Sequence, residues 1–147
     1  MRYSFGLGES SLNHRRREEF PAIFTIKVSF GGAMKERAFV LNEDPQGNYE
    51  KVIWNKELSR GEYMVCHTLA TSSQVYGKGI GKQMVEYCIQ YAKSRGYRAV
   101  RLDVVPDNIP ARKLYEKCGF VYVGDVDLER GIEAIPEFSM YEYWVKD

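Results

Sequence analysis

Two rhythms of apolar and polar residues run along this chain, and the change from one to the other marks its elements. From Ala22 to Phe30 β-branched and aromatic residues dominate, Gly31-Gly32 interrupts them, and Arg37 to Leu41 resumes an apolar run before Asn42-Glu43-Asp44-Pro45-Gln46-Gly47. This composition reads as two strands, each followed by a turn. Ile53-Trp54 and then Tyr63 to Thr71 suggest further strands, the second ending in Ser72-Ser73 ahead of a glycine-rich loop at Gly77.

After that loop the period changes. Ile80, Met84, Cys88 and Ala92 recur every four residues, Val85, Ile89 and Tyr91 widen the apolar stripe, and Gly96 stops it, which predicts an amphipathic helix. Tyr97 to Val105 returns to alternation, with Val100, Leu102 and Val104 set against Ala99, Arg101 and Asp103, as in a strand with one face more buried. Asp107-Asn108 can cap a short helix that has Pro110 in its first turn, Ala111, Leu114, Tyr115 and Cys118 on one side, and Gly119 as its breaker. Phe120 to Val126 and Phe138 to Val145 complete the chain as two strands joined through Gly131 and Pro136. The order of elements predicts an α/β fold with a mixed sheet.

At 147 residues, without repeat, linker or low-complexity tract, residues 1–147 are expected to form a single domain. Lysine and arginine number 21 against 20 acidic residues, a balance that excludes a general polyanion binder, so neither nucleic acid nor a membrane is an expected partner. The one dense charge run, His14 to Glu19, offsets itself and reads as a solvated helix face. Cys66, Cys88 and Cys118 are far apart and set among apolar residues, as core thiols in a reducing compartment would be. With no long apolar run at the N-terminus or elsewhere, the expected location is cytoplasmic. His14 and His67 lie far apart and no carboxylate cluster has ligand spacing, so no metal is expected.

The chemistry begins at Gly77-Lys78-Gly79-Ile80-Gly81-Lys82, where a strand runs into a helix. Backbone N–H groups of such a loop converge with the unsatisfied first-turn donors and positive dipole end of the helix, and together they suit a phosphate or pyrophosphate. Three glycines at alternate positions are costly in backbone entropy unless something approaches closely. A Walker loop is excluded because Lys82 is followed by Gln83, and the dinucleotide fingerprint fails because the glycines are spaced by two throughout.

Three segments then combine: His67-Thr-Leu-Ala-Thr71, Tyr76-Gly-Lys-Gly-Ile-Gly81, and Asn108-x-x-Ala111-x-x-Leu-Tyr-Glu-Lys-Cys-Gly-Phe120. Together they resemble the GCN5-related N-acetyltransferase (GNAT) superfamily over roughly Tyr63 to Val126. The resemblance implies a mixed, mostly antiparallel sheet flanked by helices, with acetyl-CoA as cofactor and an amine as acceptor. It departs at Tyr76, which stands where the family has Gln or Arg; the register Gln74-Val-Tyr-Gly77-Lys-Gly79 fits the literal pattern but lengthens the loop.

By that resemblance Leu69, Ala70 and Thr71 pair their backbone with the pantetheine arm, and one of their N–H groups polarises the acetyl carbonyl. The segment Tyr76, Gly77, Lys78, Gly79, Ile80, Gly81 and Lys82 cradles the pyrophosphate. Asn108 both caps its helix and bonds the cofactor arm. Tyr115 matches the acid that protonates the departing thiolate, two groups of similar basicity. For the base, Asp103 ranks slightly ahead of His67, with Glu62 behind; Asp103 could equally pair with Arg101 or Arg98. Cys66 as a covalent acetyl carrier is the rival to direct attack in a ternary complex.

The residues before Ala22 are few for the strand and two helices with which the family begins, and the N-terminal region is atypically short. The acceptor side is then either open or completed by a neighbouring subunit, as in a homodimer. A catalytically silent acyl-CoA-binding module is the alternative function.

Overall fold

A computed structural model describes the backbone of residues 3–7, 22–30, 33–68 and 80–145, and the side chains of 41–67 and 81–145. Ten elements follow in order: β1 (Tyr3–Leu7), β2 (Ala22–Phe30), β3 (Ala33–Asn42), a 3-10 turn (Tyr49–Lys51), β4 (Tyr63–Thr68), α1 (Ile80–Ser94), β5 (Ala99–Val104), α2 (Ile109–Lys117), β6 (Val121–Val126) and β7 (Phe138–Trp144). The strands form one sheet in the order β1-β2-β3-β4-β5-β7-β6. Every neighbouring pair is antiparallel except β4 and β5, which run parallel across the α1 crossover.

The two helices cover one face of this sheet. Met84, Val85, Cys88 and Ala92 of α1 and Tyr115 of α2 pack with Met64 and Cys66 of β4 and with Val100, Leu102 and Val104 of β5. Both helices end in the same way: Gly96 and Gly119 take positive φ (78° and 95°), and the next residue's N–H reaches back to a carbonyl inside the last turn, Tyr97 to Ala92 and Phe120 to Tyr115, at 3.0 Å each.

The opposite face has no helix among the described residues. Its cluster joins Tyr63 and Val65 of β4, Ala99 of β5 and Met140 of β7 to Tyr49 of the 3-10 turn and to Val52 and Leu128 of irregular segments. Here the expected strand at Ile53-Trp54 is corrected. Val52 to Leu58 is an irregular, bent strap, with Ile53 88% exposed. Trp54 spends its indole N–H on the Tyr49 carbonyl (3.2 Å) and lies 4.1 Å from the Arg101 guanidinium, so its ring is held by partners that no strand register supplies.

The strap is anchored by a buried ion pair. Arg101 and Glu142, 2% and 0% exposed, meet at 2.7 Å; Arg101 also donates to the Lys56 carbonyl and lies against the rings of Trp54 and Tyr63. Glu142 accepts from the Trp144 indole at 2.8 Å. Both charges thus carry the hydrogen bonds that burial demands. Among the described residues, no helix is long and apolar enough to cross a membrane.

Candidate functional site

Strands β4 and β5 share only three register pairs, Tyr63↔Ala99, Met64↔Val100 and Val65↔Arg101. Beyond them β4 continues to Thr68, held on its other side by β3 through Phe39↔Thr68, while β5 continues to Val104, held by β7 through Val104↔Ser139. The sheet therefore carries an internal edge. From Cys66 to Thr68 the side of β4 that faces β5 has no ladder partner among the described residues, and backbone groups so placed need a partner from elsewhere.

Several of the expected residues lie on β4 and β5, which form this wedge, and on the two helices packed against them. Helix α1 begins at Ile80, has no acidic residue in its first turn, and carries Lys82 there, within 3.8 Å of Glu86 at the surface. A positive helix end with a lysine and no carboxylate in its first turn fits an anionic cofactor group. Gly81 has a packing reason of its own, since a Cβ at that position would lie 2.8 Å from Leu114 Cδ2, so α1 and α2 meet there. Leu69, Ala70, Thr71, Tyr76, Gly77, Lys78, Gly79 and the His14–Glu19 run lie outside the described residues.

Asn108 caps α2: its side-chain oxygen accepts from the Ala111 N–H at 3.3 Å. Tyr115, about two turns from that cap along the short helix, is 4% exposed, with its ring against those of Phe120 (5.8 Å) and Tyr141 (6.1 Å).

The two base candidates stand in different surroundings. Asp103 is engaged on both oxygens: Arg130 donates to them at 2.8 and 2.9 Å, and the Tyr49 hydroxyl donates to Oδ2 at 2.5 Å. Its partners are thus Arg130 and Tyr49, and not Arg101, which pairs with Glu142, or Arg98, which pairs with Glu62. Burial and then the neighbouring Asp103 hold the Tyr49 phenol well above its usual pKa, and the bond to Asp103 raises that of Arg130 against the opposing pull of burial.

His67 sits two residues past the last β4–β5 pair, and its Nε2 lies 2.9 Å from Asn42 Oδ1 and 3.0 Å from the Asp44 carbonyl oxygen. The Asp44 N–H donates to the same Asn42 oxygen at 3.0 Å, which fixes that atom as an acceptor. Facing two acceptors, Nε2 must carry the ring's proton, and in neutral His67 the lone pair is on Nδ1. Glu62 accepts from Arg98 and from the Ser59 N–H, at the far end of β4.

Cys66 points into the helix-covered face, where its Sγ lies 3.5 Å from that of Cys88, whose thiol burial pushes well above its usual pKa. Arg130, Tyr49 and the Arg101–Glu142 pair were not among the expected residues. Arg130 and Tyr49 carry no periodic signal, since Arg130 lies in a loop and Tyr49 in a single 3-10 turn, and only the fold brings them to Asp103.

Comparison with known proteins agrees with this geometry. Residues 37–120, more than half of the chain, match the Acetyltransferase (GNAT) family. A streptothricin acetyltransferase of Escherichia coli is 34% identical over 94 residues, which are 62% of this chain and 50% of that protein. The chain thus spans half the length of that relative. An N-acetyltransferase structure from Staphylococcus aureus Mu50 superposes with a TM-score of 0.60 at 18% identity, covering 86% of this chain and 68% of that one. The Salmonella typhimurium yncA structure, determined with its cofactor acetyl-CoA, gives 0.60 at 11% identity, with 86% and 66% covered. At such identities the two structures establish a shared fold.

Proposed function

Because the chain belongs to the Acetyltransferase (GNAT) family, we propose that it transfers an acetyl group from acetyl-CoA to an amine by direct attack, residues 1–147 acting as one domain. The observation that carries this reading is the wedge: past Val65 the inner edge of β4 has no ladder partner among the described residues, and α1, the next described element, opens with an N-terminus suited to an anion. When bound, acetyl-CoA supplies a thioester whose carbonyl carbon accepts a nucleophile and whose thiolate leaves. The residues proposed to hold it are Leu69–Thr71 through their backbone, Tyr76–Lys82 around the pyrophosphate, and Asn108.

His67 is the better-supported base. Its Nε2–H is spent on Asn42 and Asp44, so among the described residues Nδ1 is left to take a proton from the incoming ammonium, whereas Asp103 gives both oxygens to Arg130 and Tyr49. Tyr115 on α2 serves as the acid toward the leaving sulfur. Direct attack is favoured over acetylation of Cys66, which faces Cys88 inside the helix-covered core.

A cationic amine is the first acceptor to try. The segments Glu43–Val52 and Asp127–Glu137 on the helix-free face carry three and four carboxylates, with Lys51 and Arg130 as their only lysine or arginine. Streptothricin, the substrate named for the E. coli relative, belongs in that screen.

Release of free thiol from acetyl-CoA in the presence of each amine tests the proposal, with the acetylated product identified by mass. Tyr115→Phe is expected to lower kcat by on the order of a hundredfold while acetyl-CoA affinity holds. Unchanged turnover would remove Tyr115 as the acid, and binding without turnover on any amine would favour a silent acyl-CoA module.

A further inference from the structure

Arg130 makes more bonds than an ion pair with Asp103 requires. Its Nη1 and Nη2 reach the two Asp103 oxygens, Nη2 also donates to the Pro45 carbonyl at 3.0 Å, Nε donates to the Gln46 carbonyl, and its guanidinium lies 4.6 Å from the Phe138 ring. Pro45 and Gln46 directly follow Asp44, whose carbonyl accepts from His67 Nε2. A continuous path therefore runs from β5 through Asp103 and Arg130 to the 44–46 turn, and from that turn to the imidazole on β4.

The turn depends on this hold. Gln46 (φ 46°) and Glu129 (φ 57°) are the only non-glycine residues with positive φ among the described residues, and they stand on the two segments that Arg130 joins. Such backbone persists where surrounding contacts over-determine it. Further bonds tie the same segments: Asn48 N–H to the Leu128 carbonyl at 2.9 Å, Asn48 Nδ2 to Glu129 at 3.2 Å, and Lys51 to Glu129 at 2.6 Å. Arg130 alone among them reaches both the carbonyls beside Asp44 and a carboxylate on the sheet.

We propose that Arg130, anchored by Asp103, is a positioning residue for His67: by holding the 44–46 turn it fixes Asp44, whose carbonyl accepts from Nε2–H and whose N–H keeps Asn42 Oδ1 an acceptor for the same group, so that the Nε2–H tautomer is selected and the lone pair stays on Nδ1. This rests on the reading of His67 as base. Asp103 then contributes to catalysis through Arg130 and the turn and takes no proton from the amine. A planar fork suits the task because one guanidinium can bridge a carboxylate and two carbonyls, which a single ammonium does poorly.

The test uses imidazole nitrogen NMR of the full chain, which has only His14 and His67, alongside steady-state kinetics. In the unaltered chain, neutral His67 is expected to be almost wholly Nε2–H. Arg130→Met is expected to bring in the Nδ1–H tautomer and to lower kcat at least about tenfold, with stabilisation by acetyl-CoA unchanged. Arg130→Lys, which keeps a charge for Asp103 and serves should the Met variant not fold, is expected to fall between.

An unchanged His67 tautomer in both variants overturns the proposal, and so does a changed tautomer with undiminished kcat. If the unaltered chain turns over no amine, the functional reading fails instead. The tautomer shift alone would then still support the hold of Arg130 on His67.

Discussion

The two faces of the sheet are built by different means. One is covered by α1 and α2, whose buried residues recur at helical spacing and whose ends are closed by glycines. The other is covered by a strap and two loops that have no regular period and are fastened through a buried Arg101–Glu142 pair, the Tyr49–Asp103–Arg130 cluster and carbonyls of the 45–46 turn. The lesson is that the helix face gains its definition from apolar packing, whereas the loop face gains it from a few polar contacts. Single polar substitutions should therefore act much more strongly on the second.

The largest expected effect comes from Glu142→Ala, which leaves Arg101 buried and unpaired and should cost about 3–5 kcal/mol in chemical unfolding. Replacing both members by Met should recover most of that loss, which would show that the cost lies in the unpaired charge. A small effect of the single variant would contradict the fastening role.

Tyr49→Phe comes next, at roughly 1–3 kcal/mol, because Asp103 loses a close donor. It also carries a pH signature. The folded phenol's pKa is raised, so its stabilising effect is complete below the unfolded value of 10.0 and is lost as pH rises beyond it toward the folded value. Stability of the unaltered chain should thus fall more steeply above about pH 10 than that of the Phe variant, and parallel alkaline unfolding curves would count against this.

The smallest effect is expected on the helix face. Cys66→Ala removes a thiol that faces Cys88 and takes no part in direct attack, so turnover should be retained with only a modest loss of stability. Loss of turnover in a folded variant would revive the covalent route.

The same division decides how much could be read from the sequence. Helix α1 begins at Ile80 as the four-residue spacing predicts, and the Asn108 cap and Gly119 stop bound α2 as expected, because short-range patterns determine all three. The alternation from Val100 to Val104 likewise gives β5. Ile53-Trp54 misled because an apolar pair resembles a strand, while Trp54 is held by Arg101, far along the chain.

Asp103 and His67 were legible as candidates by residue type and strand position. What separates them was not, since it depends on Arg130 and Tyr49, each more than twenty residues from Asp103, and on a turn joined to both loops.

Thermal unfolding of the purified chain with acetyl-CoA, and with ATP and NAD in parallel, tests the central claim most directly, because a ligand that prefers the native state raises the midpoint. A rise with acetyl-CoA and none with ATP or NAD is expected. No rise with acetyl-CoA, or an equal rise with a nucleotide, would contradict it.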